Sequence, residues 1–577
     1  MVAITSYMTG IPDAKLKELL VGEGLITAEQ FDEVTREAGV TGKSVVGILL
    51  SKDLITENYF EELLSRYLGV PLIQLDTAKI DINILSLLPE EIARQRKVIL
   101  FKKNSDGSID AAMEDPSNLV DIEYLTRYLN AKVNPYLAPA NELNKGFSLY
   151  ARATAQNFKK IIEDNVTASL QVGTKSAQER AEEVPIVAIV DNLISYAISL
   201  RASDIHLEIF DEFLLIRYRI DGVLQEILRI PKQVHPAISA RLKLLGGLKL
   251  DEHSKPQDGR FRYGSGRDII DIRVAIMPTY YGEKMEMRLL RTTDRALSFA
   301  ELGLSPETTK LLEENIKKSY GMVLISGPTG SGKTTTLYAV LNVLNRPTVN
   351  IVTVEDPIEY DIKFVNQTQI NPAAGISFAN GLRAILRQDP NIIMVGEIRD
   401  GETAEIATQA ALTGHLVLSS LHTNDAPTAI PRFIDMGVPA FLVAAVLNCI
   451  MAQRLVRKIH LDCIESYEPD PATIEIIKEQ LKVLGVEAEK VDLPSRFYRG
   501  KGCAIDNYTG YEGRVGIYEL LSVTESIRKI ILDPNFSLDN LRQAARGEGM
   551  ISMFEDGLRK VGQGVTTIDE VLRVIRE

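Results

Sequence analysis

Cysteine is scarce in this chain. Its 577 residues hold three, Cys449, Cys463 and Cys503, too few for a disulfide framework and in keeping with a reducing cytosol. Long apolar runs are missing as well. The longest, residues 438–451, contains Pro439 and Asn448 and falls short of the roughly 20 residues a membrane span needs; it reads as a core helix. The opening MVAITSYMTG has neither a basic n-region nor an apolar h-region, so no secretory signal is read there. Positive charge is not in surplus: 65 Lys and Arg against 78 Asp and Glu leave a formal charge of −13. That balance argues against a broad nucleic-acid surface, and no basic stretch interleaved with aromatics offsets it. A cytoplasmic protein is the expectation.

What the chain does have is length beyond one hydrophobic core, so three or four domains are expected. Residues 1–75 carry a two-copy repeat, LITAEQFDE (25–33) and LITENYFEE (54–62), with a period of 29. In each copy a Thr caps a helix, and Thr27 with Gln30 forms a capping box; this stretch reads as a compact helical module. Residues 76–150 mix strands (98–101, 108–113) with a helix (117–129). Residues 151–183 are polar and lack a steady period, which reads as an interdomain linker with helical pieces. Residues 184–300 read as α+β, with a strand pair candidate at FLLIRYRIDG (213–222) and a strand at DIIDIRVAIM (268–277). From Ser305, an N-cap followed by Pro306, the pattern alternates strands (GMVLIS, NIVTVE, NIIMVG, HLVLSS) with helices. Such alternation predicts a parallel sheet covered on both faces, an α/β domain running to residue 577.

GPTGSGKT, residues 327–334, fits G-x-x-x-x-G-K-[ST] between an apolar strand and the helix-prone TTTLYAVLNVL. In that context the backbone from Gly327 through Pro328, Thr329, Gly330, Ser331 and Gly332 wraps phosphates, and the helix N-terminus at Thr334 and Thr335 adds its dipole. Lys333 reaches the β and γ phosphates of ATP, and the Thr334 hydroxyl holds Mg²⁺. The next two strands end in acids: Glu355, Asp356 and Glu359, then Glu397 and Asp400. Acids at the carboxyl ends of such strands face the ligand crevice. Glu397 follows a glycine rather than an Asp, and its longer arm suits a base that positions water. His415 and His422 bracket the fourth strand.

GPTGSGKTTTLYAVL, TVEDPIEY, LRAILRQDPNIIMVGEIRD and TGHLVLSSLHTNDA resemble, in order, the Walker A, Asp box, Walker B and His box of the type II secretion and type IV pilus assembly ATPase family (GspE/PilB-like). RASDIHLE (201–208), IRYRIDG (216–222), QDGRF (257–261) and RVAIMPTYYGEKMEMRLL (273–290) resemble its N2 domain, and TGYEGRVGIYELL (509–521) its C-terminal segment. The likeness is strong over 184–577 and looser over 1–150. It implies a RecA-like P-loop ATPase domain behind a PAS-like N2 domain and an N1 region. It also implies a homohexamer that turns an inner-membrane platform protein, with membrane association through partners. Carried over residue by residue, Glu397 is the catalytic glutamate, Glu355 the Asp-box acid near metal and water, and His422 a γ-phosphate sensor, with His415 at the subunit contact. Arg217, Arg219 and Arg273 are the candidates for charge compensation from the neighbouring domain.

Two departures bear on ligands. Where the family carries two C-x-x-C pairs, this chain has His460-x-x-Cys463 and Cys503-x-x-Asp506. All three residue types ligate zinc, although structural sites favour thiolates, so a mixed zinc site and a knuckle held by packing both stay open. The N1 helices resemble a module that binds cyclic di-GMP in some relatives, but Lys15-Leu16-Lys17 and Lys43-Ser44-Val45 replace its Arg-Leu-Gly starts; the expectation is no cyclic di-GMP. A pilus assembly motor is the leading reading, and a type II secretion ATPase shares every motif. The acidic charge counts against a nucleic-acid-translocating ATPase, the N1 region against a retraction motor, and intact Lys333, Thr334, Glu355 and Glu397 against a scaffold without turnover.

Overall fold

A computed structural model describes residues 11–576 apart from 42–43, 53, 77–78, 172–175, 266–267, 292–296, 487–490, 492, 495, 504–505 and 507. The chain divides into two compact units, Met1–Lys160 with Gly502–Thr509 and Ile161–Lys501 with Gly510–Glu577.

The first unit opens with four helices, Asp13–Gly22, Ala28–Thr41, Val45–Ser51 and Glu57–Leu68. The repeat explains their packing: Phe31 and Phe60, one period apart, are both buried in the same core with Leu16, Leu20 and Leu49. The capping box forms, with Thr27 N–H donating to Gln30 Oε1 at 2.8 Å and Gln30 N–H donating to Thr27 Oγ1 at 3.2 Å. Thr56 caps the fourth helix alone, accepting from Tyr59 N–H at 3.3 Å. A three-stranded sheet follows, β1 (Val98–Lys103), β2 (Ile109–Met113) and β3 (Val133–Leu137). β1 and β2 are antiparallel, and the helix Leu119–Leu129 crosses over to make β3 parallel to β2. Most of the stretch read as a linker belongs to one helix, Ala140–Gln171. Phe158, Ile162 and Val166 are buried on it at i, i+4 and i+8, a narrow stripe outnumbered by the polar residues around it.

After the end of that long helix and a short one, Ala177–Arg180, the second unit continues with the helix Val184–Ser199 and a six-stranded antiparallel sheet: β4 (Asp204–Ile209), β5 (Phe213–Ile220), β6 (Val223–Pro231), β7 (Gln257–Ser265), β8 (Asp268–Thr279) and β9 (Gly282–Arg291). The spatial order is β6-β5-β4-β9-β8-β7. Asp221 (φ 49°) and Gly222 (φ 87°) turn β5 into β6, the two positive φ values a two-residue hairpin loop requires.

The α/β domain contributes β10 (Gly321–Ser326), β11 (Ile351–Glu355), β12 (Val365–Gln369), β13 (Ile392–Val395), β14 (Leu416–Leu421), β15 (Leu447–Ile459), the small pair β16 (Ile464–Tyr467) and β17 (Phe497–Gly500), and β18 (Tyr511–Ser522). The large sheet runs β12-β11-β13-β14-β10-β15-β18, parallel except for β18 at its edge. Both faces are covered: Met322 and Leu324 of β10 enter one core, Val323 and Ile325 the other. Four helices close the chain, Glu525–Ile531, Leu538–Gly547, Met553–Gly562 and Ile568–Arg576. Residues 438–451, read as one core helix, instead change form within the run. Ala440–Val446 is helical and β15 starts at Leu447. A short run buried on all sides has no period to separate helix from strand. Among the described residues no helix is long and apolar enough to cross a membrane.

Candidate nucleotide site

β10 is wholly buried and delivers the chain to Gly327. That residue has φ 149°, and a Cβ on it would lie 2.5 Å from Ser331 Oγ and 2.6 Å from Gln453 O; only glycine fits the loop's entry. Gly332 (φ 87°) ends the loop as N-cap of the helix Lys333–Leu344. Gln453 of β15, which the sequence did not single out, braces the loop from behind. Its Nε2 donates to Ser331 O at 2.6 Å and its Oε1 accepts from Thr336 Oγ1 at 2.8 Å. Pro328, Thr329 and Gly330 form an exposed crest, and Thr334 and Thr335 are exposed on the first helical turn. Lys333 Nζ donates to Gly327 O at 2.8 Å and Pro328 O at 3.0 Å. Burial lowers its pKa to about 8, against the pull of Glu397.

The acids part company. Glu355, at the end of β11, is 2% exposed and fully engaged. Tyr338 hydroxyl donates to it, Thr353 Oγ1 donates at 2.5 Å and Gln367 Nε2 at 3.0 Å. Burial and the nearby Glu355 carboxylate push the Tyr338 phenol pKa far up. Glu397, just past β13, keeps 13% of its side chain exposed. One of its oxygens accepts from Arg399 at 2.5 Å, and the other lies 3.1 Å from His422 Nε2. Burial opposes its ionisation, but Arg399 and His422 more than offset this and hold its pKa below the ordinary carboxylate value. Arg399 was visible two residues after Glu397 in GEIRD, yet only charge pairing in three dimensions marks it. His415 Nδ1 lies 2.9 Å from Ala410 O, at the end of the helix Gly401–Leu412.

The N2 arginines also differ. Arg217 binds Glu208 at 2.8 Å and Arg219 binds Asp204 at 3.3 Å, both within the six-stranded sheet. Arg273 of β8 is instead partly buried and feels the charges of Glu359 and Asp356. Arg288, which the sequence reading passed over, pairs with Asp204 at 3.0 Å and also acts on Glu359. Glu359 itself is exposed. Surrounding protein raises its pKa against the pull of Arg273 and Arg288.

Near β16 and β17, His460, Cys463, Cys503 and Asp506 each offer one ligand atom, and the four lie within 4.8 Å of one another. Cys503 N–H donates to Asp506 Oδ1 at 3.0 Å. An imidazole, two thiols and a carboxylate so gathered fit a tetrahedral zinc set after a small closure.

A family model described as Type II/IV secretion system protein matches residues 179–573, and a second, described as MshEN domain, matches residues 68–157. The type IV pilus assembly ATPase PilB of Myxococcus xanthus is 38% identical over 568 residues, 97% of this chain and 98% of that one. Type II secretion system protein E of Pseudomonas aeruginosa is 45% identical over 404 residues, 70% of this chain and 78% of that one. Among solved structures, the Yersinia pseudotuberculosis ATPase DotB aligns with TM-score 0.50 at 21% identity, covering 68% of this chain and 94% of that chain; it shares the fold. With a phosphate loop, a poised glutamate and a match across most of its length, the chain belongs to the type II/IV secretion system protein family, the ATP-hydrolysing motors of pilus assembly and protein secretion.

Proposed function

We propose that this chain is the motor of a type IV pilus assembly machine. It works as a homohexamer, recruited from the cytoplasm to the inner face of the cytoplasmic membrane by a platform protein that it turns. The observation that carries the hydrolytic part is Glu397, held between Arg399 and His422 and acting electrostatically on Lys333. The pilus assignment rests on the end-to-end match to PilB.

In this reading Lys333 leaves the carbonyls of Gly327 and Pro328 for the β and γ phosphates of ATP, and Thr334 turns its hydroxyl to Mg²⁺. Mg²⁺, when bound, neutralises charge between the phosphate oxygens. Glu397 releases Arg399 and orients the attacking water, and His422 reads the γ-phosphate. Glu355, with three donors on it, fixes the end of β11 and leaves water activation to Glu397. Arg273 supplies charge from N2, while Arg217 and Arg219 reach the nucleotide only after leaving Glu208 and Asp204. His460, Cys463, Cys503 and Asp506 hold one structural zinc ion, so metal analysis of the purified chain gives about one zinc per chain; a ratio near zero leaves a knuckle held by packing.

Deleting the gene tests the pilus assignment: pili disappear while protein secretion continues. The reverse outcome makes the chain a type II secretion ATPase, the reading favoured by its 45% identity to secretion protein E. The MshEN match falls at residues 68–157, beyond the repeat whose missing arginines argued against cyclic di-GMP, and titrating that nucleotide against the full chain decides the point.

A further inference from the structure

The loop that begins at His422 is tied to the C-terminal helices at three successive residues, Asn424, Asp425 and Ala426. Asn424 Oδ1 accepts from Arg454 Nη2 at 3.2 Å, and Arg454 Nε donates at 3.3 Å to the carbonyl of Val574 in the last helix, Ile568–Arg576. Arg454 is buried on β15 and acts electrostatically on Lys333. The last helix is held to β15 a second time, where Glu570 accepts from Arg457 at 2.6 Å. Asp425 Oδ2 accepts from Arg542 of the helix Leu538–Gly547 at 2.7 Å, while Asp425 Oδ1 accepts from Thr428 N–H at 2.8 Å. Ala426 N–H donates to Glu519 Oε1 at 3.0 Å. Glu519 is buried on β18, whose neighbouring residue Tyr518 donates its N–H to Asp556 of the helix Met553–Gly562 at 2.9 Å.

Two charged groups, Arg454 and Glu519, are buried to hold one short loop, and buried groups of this kind are expensive unless their geometry is fixed. The loop's first residue, directly after β14, is His422, 3.1 Å from Glu397. A displacement of about 1 Å in such a group is enough to lower turnover by about 100-fold.

We infer that Arg454, Arg542 and Glu519 are positioning residues that let the C-terminal helices set where His422 stands over Glu397, so that a load on those helices changes the rate of hydrolysis. The inference rests on the proposed role of His422. Arg542 is the cleanest probe, because its side chain is 42% exposed and its removal opens no core cavity.

The experiment is a double-mutant cycle on the full chain, Arg542→Ala with His422→Ala, reading kcat, KM for ATP and Tm. The expected result is a kcat about tenfold lower for Arg542→Ala, with KM within about twofold and Tm nearly unchanged, and no further loss in the His422→Ala background. Glu519→Gln, which keeps an acceptor for Ala426, should retain turnover, whereas Glu519→Met should resemble Arg542→Ala. Independent, multiplying losses would overturn the coupling, as would an Arg542→Ala enzyme with normal kcat. A His422→Ala enzyme with normal kcat would sink the sensor role, and the coupling with it.

Discussion

Lys333 is stored against the carbonyls of its own loop, and burial has brought its pKa down to about 8. An unfolded lysine keeps its proton well above that pH, so between pH 8 and 10.5 the unfolded chain holds a proton the folded chain has lost. Stability attributable to this group therefore rises with pH across that window. ATP phosphates reverse the preference by favouring the ammonium. Binding ATP at pH 9 should take up close to one proton per site at Lys333, and affinity should weaken as pH climbs past 8. Calorimetry in buffers of different ionisation heat measures this uptake; its persistence in Lys333→Arg would assign the proton elsewhere. Glu519 runs the other way. Burial raises its pKa from 4.5 to about 7. From pH 4.5 to 7 the folded chain holds a proton the unfolded chain has released, so stability falls as pH rises through the window and stays lower above it. Glu519→Gln should match wild type in Tm near pH 4.5 and exceed it at pH 8, as scanning calorimetry would record.

At the scale of elements, local chemistry was legible wherever it acts alone. The strand–loop–helix around Gly327 could be read from GMVLIS and TTTLYAVLNVL, and the first N1 repeat from its capping box. Thr27→Ala should destabilise its helix by about 1 kcal/mol, as should Thr56→Ala, seen as faster amide exchange within residues 28–41 and 57–68. β12 escaped because VNQTQ is a polar edge strand with no apolar alternation to find. The helix-to-strand change at Leu447 escaped because both halves are buried, and tertiary position alone decides between them. The same limit applies to the site. Glu355 and Glu397 look alike in sequence, each an acid closing an apolar strand. Three donors on one, and an arginine and a histidine on the other, separate them only when Tyr338 and Gln367 come into place around β11.

For the whole molecule, Arg273 of the N2 sheet feels the charges of Glu359 and Asp356 in the ATPase domain. In the proposed reading, a nucleotide bound at Lys333 draws on Arg273 of the N2 sheet as well as on the ATPase sheet. Arg273→Ala should keep ATP affinity within a few-fold and lower kcat at least tenfold, the pattern of a group used in the transition state; steady-state kinetics with a nucleotide-binding titration would resolve it. In the proposed reading, motor action, pilus or secretion, depends on hydrolysis at Glu397. The most direct measurement is ATP binding and turnover by the full-length Glu397→Gln chain. ATP should bind about as tightly as to wild type while turnover falls by about 100-fold or more; near-normal turnover in that variant would contradict the account.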